Sequence, residues 1–465
     1  MNRIAQLLVA PLLLTTLAAS AAAPAANIAP ALRLQGLNGE SAIQALGDQL
    51  PAIAARNRRS PEELRAMLRR DHTLRLDAQG MLMFVDELPA PLTARPVAAS
   101  TAPSIAGATV DAFTLHSRPS AKRTIYLDFN GASLTGTGWN SGSETITAQP
   151  FDLDGDSASF SADEHARITA IWKRVAEDFA AFDVDVTTEQ PAAERLTRSN
   201  AADEEYGNTV LITNNAVYPC VCGGIAYVGV YNLDDPFYDR YKIALVFFDM
   251  LAWDEKYIAE AISHEAGHNV GLNHDGTTTG SAYYEGQGDW APIMGVGYYK
   301  PLVQWSKGEY ANANNTEDDF AVMQNYGLPL RADDHGNTFS TATVLTRLVK
   351  NGAVQLSAAG VISQPTDKDI YSFKAGPGAA KFNVQPDPTS ANLNLKISVK
   401  DGAGNIVAQT SPADKLSAYV QFTLPAKGQY YLIVTGVGQG DPLVDGYTSY
   451  SSLGQYSITG TAPKP

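Results

Sequence analysis

The sequence predicts an α/β domain on a twisted mixed sheet, followed by an all-β sandwich and preceded by a small α+β unit. Three observations carry this. From about residue 118, strand-like runs alternate with helical patterns. From about residue 335, runs rich in Thr, Val, Ser and Gly are separated by turns, with little helical signal. Between them and the N-terminus, PAPLTARPVAASTAPSIAGA (89–108) has the composition of an exposed linker. A chain of 465 residues is too long for one ordinary core, where ~100–200 residues are typical.

The elements follow in order. Residues 1–21 have a positive start at Arg3, an apolar run from Ile4 to Ala19 broken by Pro11, and an Ala19-Ser20-Ala21 cleavage pattern. This reads as a secretory signal peptide, so the chain is expected to be secreted. No later stretch is long enough to span a bilayer, so no stable membrane insertion is expected; KIALVFFDMLAW is short and carries Asp249. Residues 22–117 are expected to be a small α+β propeptide and its linker. RNRRSPEELRAMLRRDHTLRLD predicts a helix starting at Ser60-Pro61, with Leu64, Met67 and Leu68 on one face. GMLMFVDE then reads as a strand. A basic segment ahead of a soft linker suggests removal, and a permanent N-terminal domain is the other reading.

Residues 118–330 are assigned to the α/β domain. TIYLDF reads as a strand, and SADEHARITAIWKRVAEDFAAF as a helix opened by a Ser161/Glu164 capping box. Ile168, Ile171, Trp172, Val175, Phe179 and Phe182 form its apolar stripe. VDVTTE, NTVLIT, IAYVGVY and IALVFF follow as strands. A second helix is expected from about Asp254 to Val270, its start favoured by Asp254 and Glu255. Residues 331–465 are assigned to the sandwich, with NLNLKISVKD, AYVQFTLP and GQYYLIVTGV among its strands.

The net charge of −15 argues against nucleic acid as a partner, because phosphate repels a chain of its own sign. Cys220 and Cys222 are the two cysteines. Two extended residues span roughly 6.6 Å, the upper edge of disulfide reach, so a bridge requires a bend. A local staple and two free thiols both remain open, and zinc ligation by this pair matches no ligand spacing. Asp152, Asp154 and Asp156 alternate in a way that suits Ca2+, as do Asp333, Asp334, Asp367 and Asp369 together; solvated acidic turns are the alternative.

The densest signal is HEAGHNVGLNHD (264–275), which holds three of the seven histidines. On a helix, His264 and His268 share one face about 6 Å apart. If the helix ran on, His274 would lie about 15 Å along the axis from His264. Gly271 can end the helix in a left-handed turn and bring His274 back. Three imidazoles and an open position describe a catalytic Zn2+ site. Zinc brings water to a pKa of about 7, and Glu265 beside it can accept the proton as general base.

The extended motif resembles that of the metzincin zinc endopeptidases. On that resemblance His264, His268 and His274 are the metal ligands, Glu265 is the general base, and Gly271 makes the turn. Asp275 after the third histidine is similar to the adamalysin or reprolysin branch. APIMGVGYY supplies Met294 as the methionine-turn support beneath the metal. The resemblance implies a metzincin-like catalytic domain whose edge strand, IAYVGVY (225–231), pairs with an extended substrate. Residues after Met294, through VGYYKPLV, would line the specificity pocket. Some metzincins have a tyrosine two residues after the methionine; here Val296 stands there, so Tyr298 is a candidate oxyanion or pocket residue only. A cysteine switch is excluded, because the expected propeptide has no cysteine. Asp71 or His72 could cap the metal instead, against a plain surface role for each. ADDHGNTFSTATVL, PTDKDIYSF and GQYYLIVTGVG resemble the bacterial pre-peptidase C-terminal domain.

The expectation is therefore a secreted zinc metalloendopeptidase, made as a zymogen, acting as a monomer on a protein or peptide substrate. An adhesion protein on an inactive metzincin scaffold and a zinc hydrolase of cell-wall peptides are the rivals.

Overall fold

A computed structural model describes residues 37–89, 111–140, 142–350 and 353–465. The expected signal peptide and most of the expected linker lie outside the described residues.

Near the N-terminus, α1 (Gly39–Leu46), α2 (Leu50–Arg56) and α3 (Pro61–Arg70) precede a hairpin of β1 (Leu74–Leu76) and β2 (Leu82–Glu87). Ser60 starts α3 with a capping box: Glu63 N donates to its hydroxyl, and Ser60 N donates to the Glu63 carboxylate at 2.6 Å. Leu46, Leu50, Ile53, Leu64, Leu68 and Phe84 form a core of this unit's own.

The middle of the chain contains β3 (Arg123–Asp128), β4 (Ala132–Leu134), β5 (Ile146–Ala148), α4 (Ala162–Asp178), β6 (Val184–Thr187), β7 (Tyr206–Thr213), β8 (Cys222–Tyr227) and β9 (Ile243–Phe247). It continues with α5 (Glu255–Asn269), β10 (Trp290–Pro292), β11 (Leu302–Gln304) and α6 (Asp319–Asn325). One sheet dominates, with strand order β1-β2-β8-β9-β7-β3-β6. β9, β7, β3 and β6 run parallel, and β8 is antiparallel to β9. Parallel neighbours require crossovers, and α4 makes the one from β3 to β6. Residues 111–117, assigned from sequence to the linker, lie along β6: Ser117 N donates to Val186 O and Thr188 N to Leu115 O, both at 3.1 Å.

Contrary to the expectation from sequence, the IAYVGVY run does not form a free edge. The strand spans Cys222–Tyr227, and β2 pairs with it antiparallel, from Met83 opposite Tyr227 to Glu87 opposite Cys222. An open edge displays a row of unmatched N–H and C=O groups, and the N-terminal unit satisfies them.

The rest is β12 (Thr343–Val344), β13 (Thr346–Lys350), β14 (Ala353–Ile362), β15 (Asp369–Ala375), β16 (Gly378–Pro386), β17 (Leu395–Asp401), β18 (Ile406–Thr410), β19 (Ala418–Leu424), β20 (Gly428–Gly436) and β21 (Gly454–Ala462). These form two five-stranded sheets, β12-β15-β20-β17-β18 and β13-β14-β21-β16-β19. Alternate residues face inward, as with Tyr430, Leu432 and Val434 on β20 and Ala380, Phe382 and Val384 on β16. The chain is thus sheet-rich with few helices, and its C-terminal sheets are sandwich-like. No helix among the described residues is long and apolar enough to cross a membrane.

Candidate active site

The helix α5 is capped by Asp254, whose carboxylate accepts from Lys256 N at 2.9 Å and Tyr257 N at 3.2 Å. It ends in a Schellman turn: Leu272 N donates to Gly267 O at 3.0 Å and Gly271 N to His268 O at 2.9 Å. Gly271 has φ +97°, and a Cβ there would strike the Tyr326 ring at 2.3 Å. Both facts call for glycine. The turn carries His274 back onto the helix, with ring centroids 4.8 Å from His268 and 5.2 Å from His264.

A fourth side chain meets these rings. Asp86 on β2 has Oδ1 at 2.9 Å from His274 Nε2, and Oδ2 at 3.3 Å from His264 Nε2 and 3.4 Å from His268 Nε2. His268 Nε2 and His274 Nε2 are 3.1 Å apart. A tetrahedron with donors ~2.0–2.1 Å from its centre has edges of roughly 3.3 Å, so the four donors are spaced as ligands of one ion. His264 Nε2 and Asp86 Oδ2 are buried without a hydrogen-bond partner, which a metal would supply. All four residues are buried, and the group can hold a metal ion. Burial alone would raise the Asp86 carboxyl; the three imidazoles outweigh it and hold it well below the usual range. Burial lowers His274, but Asp71 and Asp86 together push it up to about 10, and carboxylates that favour a proton there also favour a metal cation.

The outer contacts orient each ring. His264 Nδ1 donates to Ile293 O at 2.8 Å, and His268 Nδ1 to Leu272 O at 2.9 Å. His274 Nδ1 instead faces Asp71 Oδ2 at 2.6 Å. Phe84 covers the rings of His268 and His274, with centroids 4.4 and 4.2 Å away. Tyr283 donates to Asp86 Oδ1 at 3.1 Å.

Glu265 is buried beside this group, with Oε2 unpartnered. Burial, then the negative charge of Asp86, pushes its carboxyl well above the usual range. Gly224 on β8 makes room for it, since a Cβ there would lie 2.1 Å from Glu265 Oε1. Met294 is fully buried, against Gly267 on the helix between the first two histidines. Tyr298 is half-buried and lines, with Val296, Glu265 and Asp86, a cavity of about 20 Å3, room for one water at most.

Other sequence-level candidates fall elsewhere. Asp71 is buried one step behind His274 rather than at the metal position, and His72 is exposed beside Glu87. The carboxylate that meets all three rings is that of Asp86, which lies in GMLMFVDE and carries no local mark of this placement. Cys220 and Cys222 form a disulfide across Cα atoms 5.3 Å apart, so the chain bends between them. Asp152 and Asp154 gather with Glu164, while Asp156 turns to its own loop, accepting from Ala158 N and Ser159 Oγ. Asp333 and Asp334 gather with Asp369; Asp367 stays outside and accepts from Ser363 N and Oγ. Both groups offer only oxygen donors, the chemistry of a hard cation.

No family model and no curated protein matches the chain. Among solved structures, it is similar to the pre-peptidase C-terminal domain of a collagenase from Bacillus anthracis: 16% identity over 27% of this chain and 99% of that one, TM-score 0.18. It is also similar to PliG, a periplasmic inhibitor of g-type lysozyme from Aeromonas hydrophila: 15% identity, 26% and 96% covered, TM-score 0.19. A third is the lectin-binding domain of Lectinolysin: 12% identity, 23% and 72% covered, TM-score 0.15. At such TM-scores these likenesses carry no argument, and the site rests on its own geometry.

Proposed function

We propose that the chain is a secreted zinc-dependent endopeptidase of metzincin type, kept latent by its N-terminal unit. The observation that carries this is the meeting of His264, His268, His274 and Asp86, with Glu265 buried beside them. Three of the four donors belong to the α5 turn. The fourth arrives on a strand that lies along β8 as an extended peptide would. A four-donor site is closed, whereas a catalytic one keeps a position open. Withdrawal of Asp86 opens that position and uncovers the β8 edge in one motion.

Zinc, when bound, supplies Lewis acidity, acidifying water and polarising a substrate carbonyl. The chain's own residues do the rest. The three imidazoles would hold the ion, each fixed through its other nitrogen. Glu265 takes a proton at its carboxylate from the attacking water and passes it to the leaving amine. Its burial favours the protonated form after the transfer. The freed backbone of β8 holds a substrate extended across the site. The disulfide supports an oxidising destination, which fits export.

The test uses the full chain. With a protease site placed among residues 95–105, cutting the Asp86→Ala chain should release hydrolysis of casein or a quenched peptide that the uncut parent lacks, and a chelator should abolish it. Glu265→Ala in that background should retain zinc and lose activity by about 100-fold or more. A chain carrying both Asp86→Ala and Glu265→Ala that digests casein as well as Asp86→Ala alone would rule out the proposal.

A further inference from the structure

The three imidazoles are not held alike. His264 and His268 are oriented by carbonyls of the same body that bears them, Ile293 O and Leu272 O. His274 is oriented by the N-terminal unit. Asp71, just after α3, is buried and presents Oδ2 to His274 Nδ1 at 2.6 Å. Its other oxygen is tied down by Thr73, whose N donates at 2.8 Å and whose hydroxyl donates at 2.6 Å. Thr73 Oγ1 itself lies 3.3 Å from His274 Nδ1. The carboxylate therefore cannot swing away without breaking two further hydrogen bonds.

A carboxylate accepting from one ring nitrogen fixes the tautomer, leaves the other nitrogen's lone pair free, and makes that nitrogen a stronger donor. Nδ1–H of His274 points to Asp71, so Nε2 faces Asp86 and the other two rings. The same unit thus supplies a direct donor through β2 and an outer partner through the end of α3. These are separate attachments on separate elements.

We infer that Asp71 is a positioning residue for the metal: it strengthens the hold of His274 on zinc, so the chain acquires its ion while the N-terminal unit is still docked. This rests on the zinc reading above. It goes beyond latency, since a plug needs only Asp86. By linkage, zinc in turn tightens the docking of the unit by the same factor.

The experiment measures zinc affinity in the full Glu265→Ala chain, which cannot digest itself, by competition with a chromophoric chelator. Asp71→Ala should weaken zinc binding by about 10–100-fold, the usual loss for an outer partner of a metal-bound histidine. Asp71→Asn, which keeps the shape and an accepting oxygen, should recover part of that loss. Cobalt substitution separates the two roles. Asp71→Ala should keep the parent's intense four-coordinate visible band, whereas Asp86→Ala should change it. Two results overturn the inference: zinc affinity unchanged in both Asp71 variants, or a cobalt band altered by Asp71→Asn as it is by Asp86→Ala. A parent chain that binds no stoichiometric zinc instead sinks the endopeptidase reading itself, so the two failures are distinct.

Discussion

The two units that flank the α/β body are attached to it in different ways. The N-terminal unit has a core of its own, with Leu50, Leu64, Leu68 and Phe84 packed together and only Val228 contributed by the body. It reaches the body through β2 and two methionines, Met81 and Met83, beneath β8 and β9. Its decisive contacts are β-pairing on β8 and carboxylates on imidazoles. An extended peptide could replace the first, and a metal ion would join the second. Among the described residues the sandwich core is continuous with that of the body: Phe179, Trp305 and Phe320 of the body lie in one apolar cluster with Leu393, Tyr450 and Leu453 of the sandwich. The rings of Phe320 and Tyr450 pack with centroids 4.8 Å apart and planes tilted by 40°.

Polar groups close the second seam. Asn392 Nδ2 donates to Asp178 Oδ1 at 2.7 Å, and Ser263, next to His264 on α5, donates to Asp178 Oδ2 at 2.6 Å. Gln455 donates to both oxygens of Glu177, from N at 3.0 Å and from Nε2 at 2.9 Å. Gln287 donates to Pro442 O at 2.6 Å and Gly446 O at 2.7 Å. One seam joins strand pairing and charged contacts to a few apolar ones, with Arg58 and Arg59 over the Tyr326 ring. The other continues the hydrophobic core, so parting it would expose a large apolar surface to water.

The largest test of this contrast is to cut the chain at each seam. A protease site placed among residues 333–338 of the Glu265→Ala chain should leave the sandwich bound, co-eluting in gel filtration. A site placed among residues 95–105 should leave the N-terminal unit bound only while Asp71 and Asp86 are intact, and free when both are alanine. A sandwich that elutes alone after cutting breaks the comparison.

Within the C-terminal seam, Tyr450→Ala should be the most damaging point change. It removes a buried aromatic that packs against Phe320 and donates to Asp318 at 2.8 Å, and should cost about 3–5 kcal/mol in urea denaturation. Asn392→Ala should cost less, about 1–3 kcal/mol, by leaving an Asp178 oxygen buried and unmatched. An Asn392→Ala chain as stable as its parent would show that water enters the seam.

The remaining effect is on pH. Burial pushes the Asp178 carboxyl up to about 7 and the Glu177 carboxyl well above the usual range. Each then binds a proton in the folded chain that it has lost in the unfolded chain at the same pH. Seam stability should therefore fall as pH rises from about 4 through about 7 as Asp178 loses its proton, and Glu177 adds to the fall in the same direction. Denaturation midpoints that rise over this window would contradict the burial of these two groups.

What the sequence determined by itself is local. The capping residues Ser60, Ser161 and Asp254, the stripe on α4 and the glycine turn after α5 follow from spacing and backbone conformation within a few residues. The convergence of three imidazoles is of this kind, because one helix turn and one left-handed glycine suffice. What only the tertiary structure decided is which distant side chains complete that group. Asp86 and Asp71 are ordinary acidic residues on a strand and beyond a helix, and no local pattern distinguishes them from Asp156 or Asp367, which turned to their own loops. The β8 edge was likewise legible as a strand, but not as an occupied one. Pairing between segments far apart in the chain depends on how whole units dock, and docking is set by shape and burial that no short stretch of sequence contains.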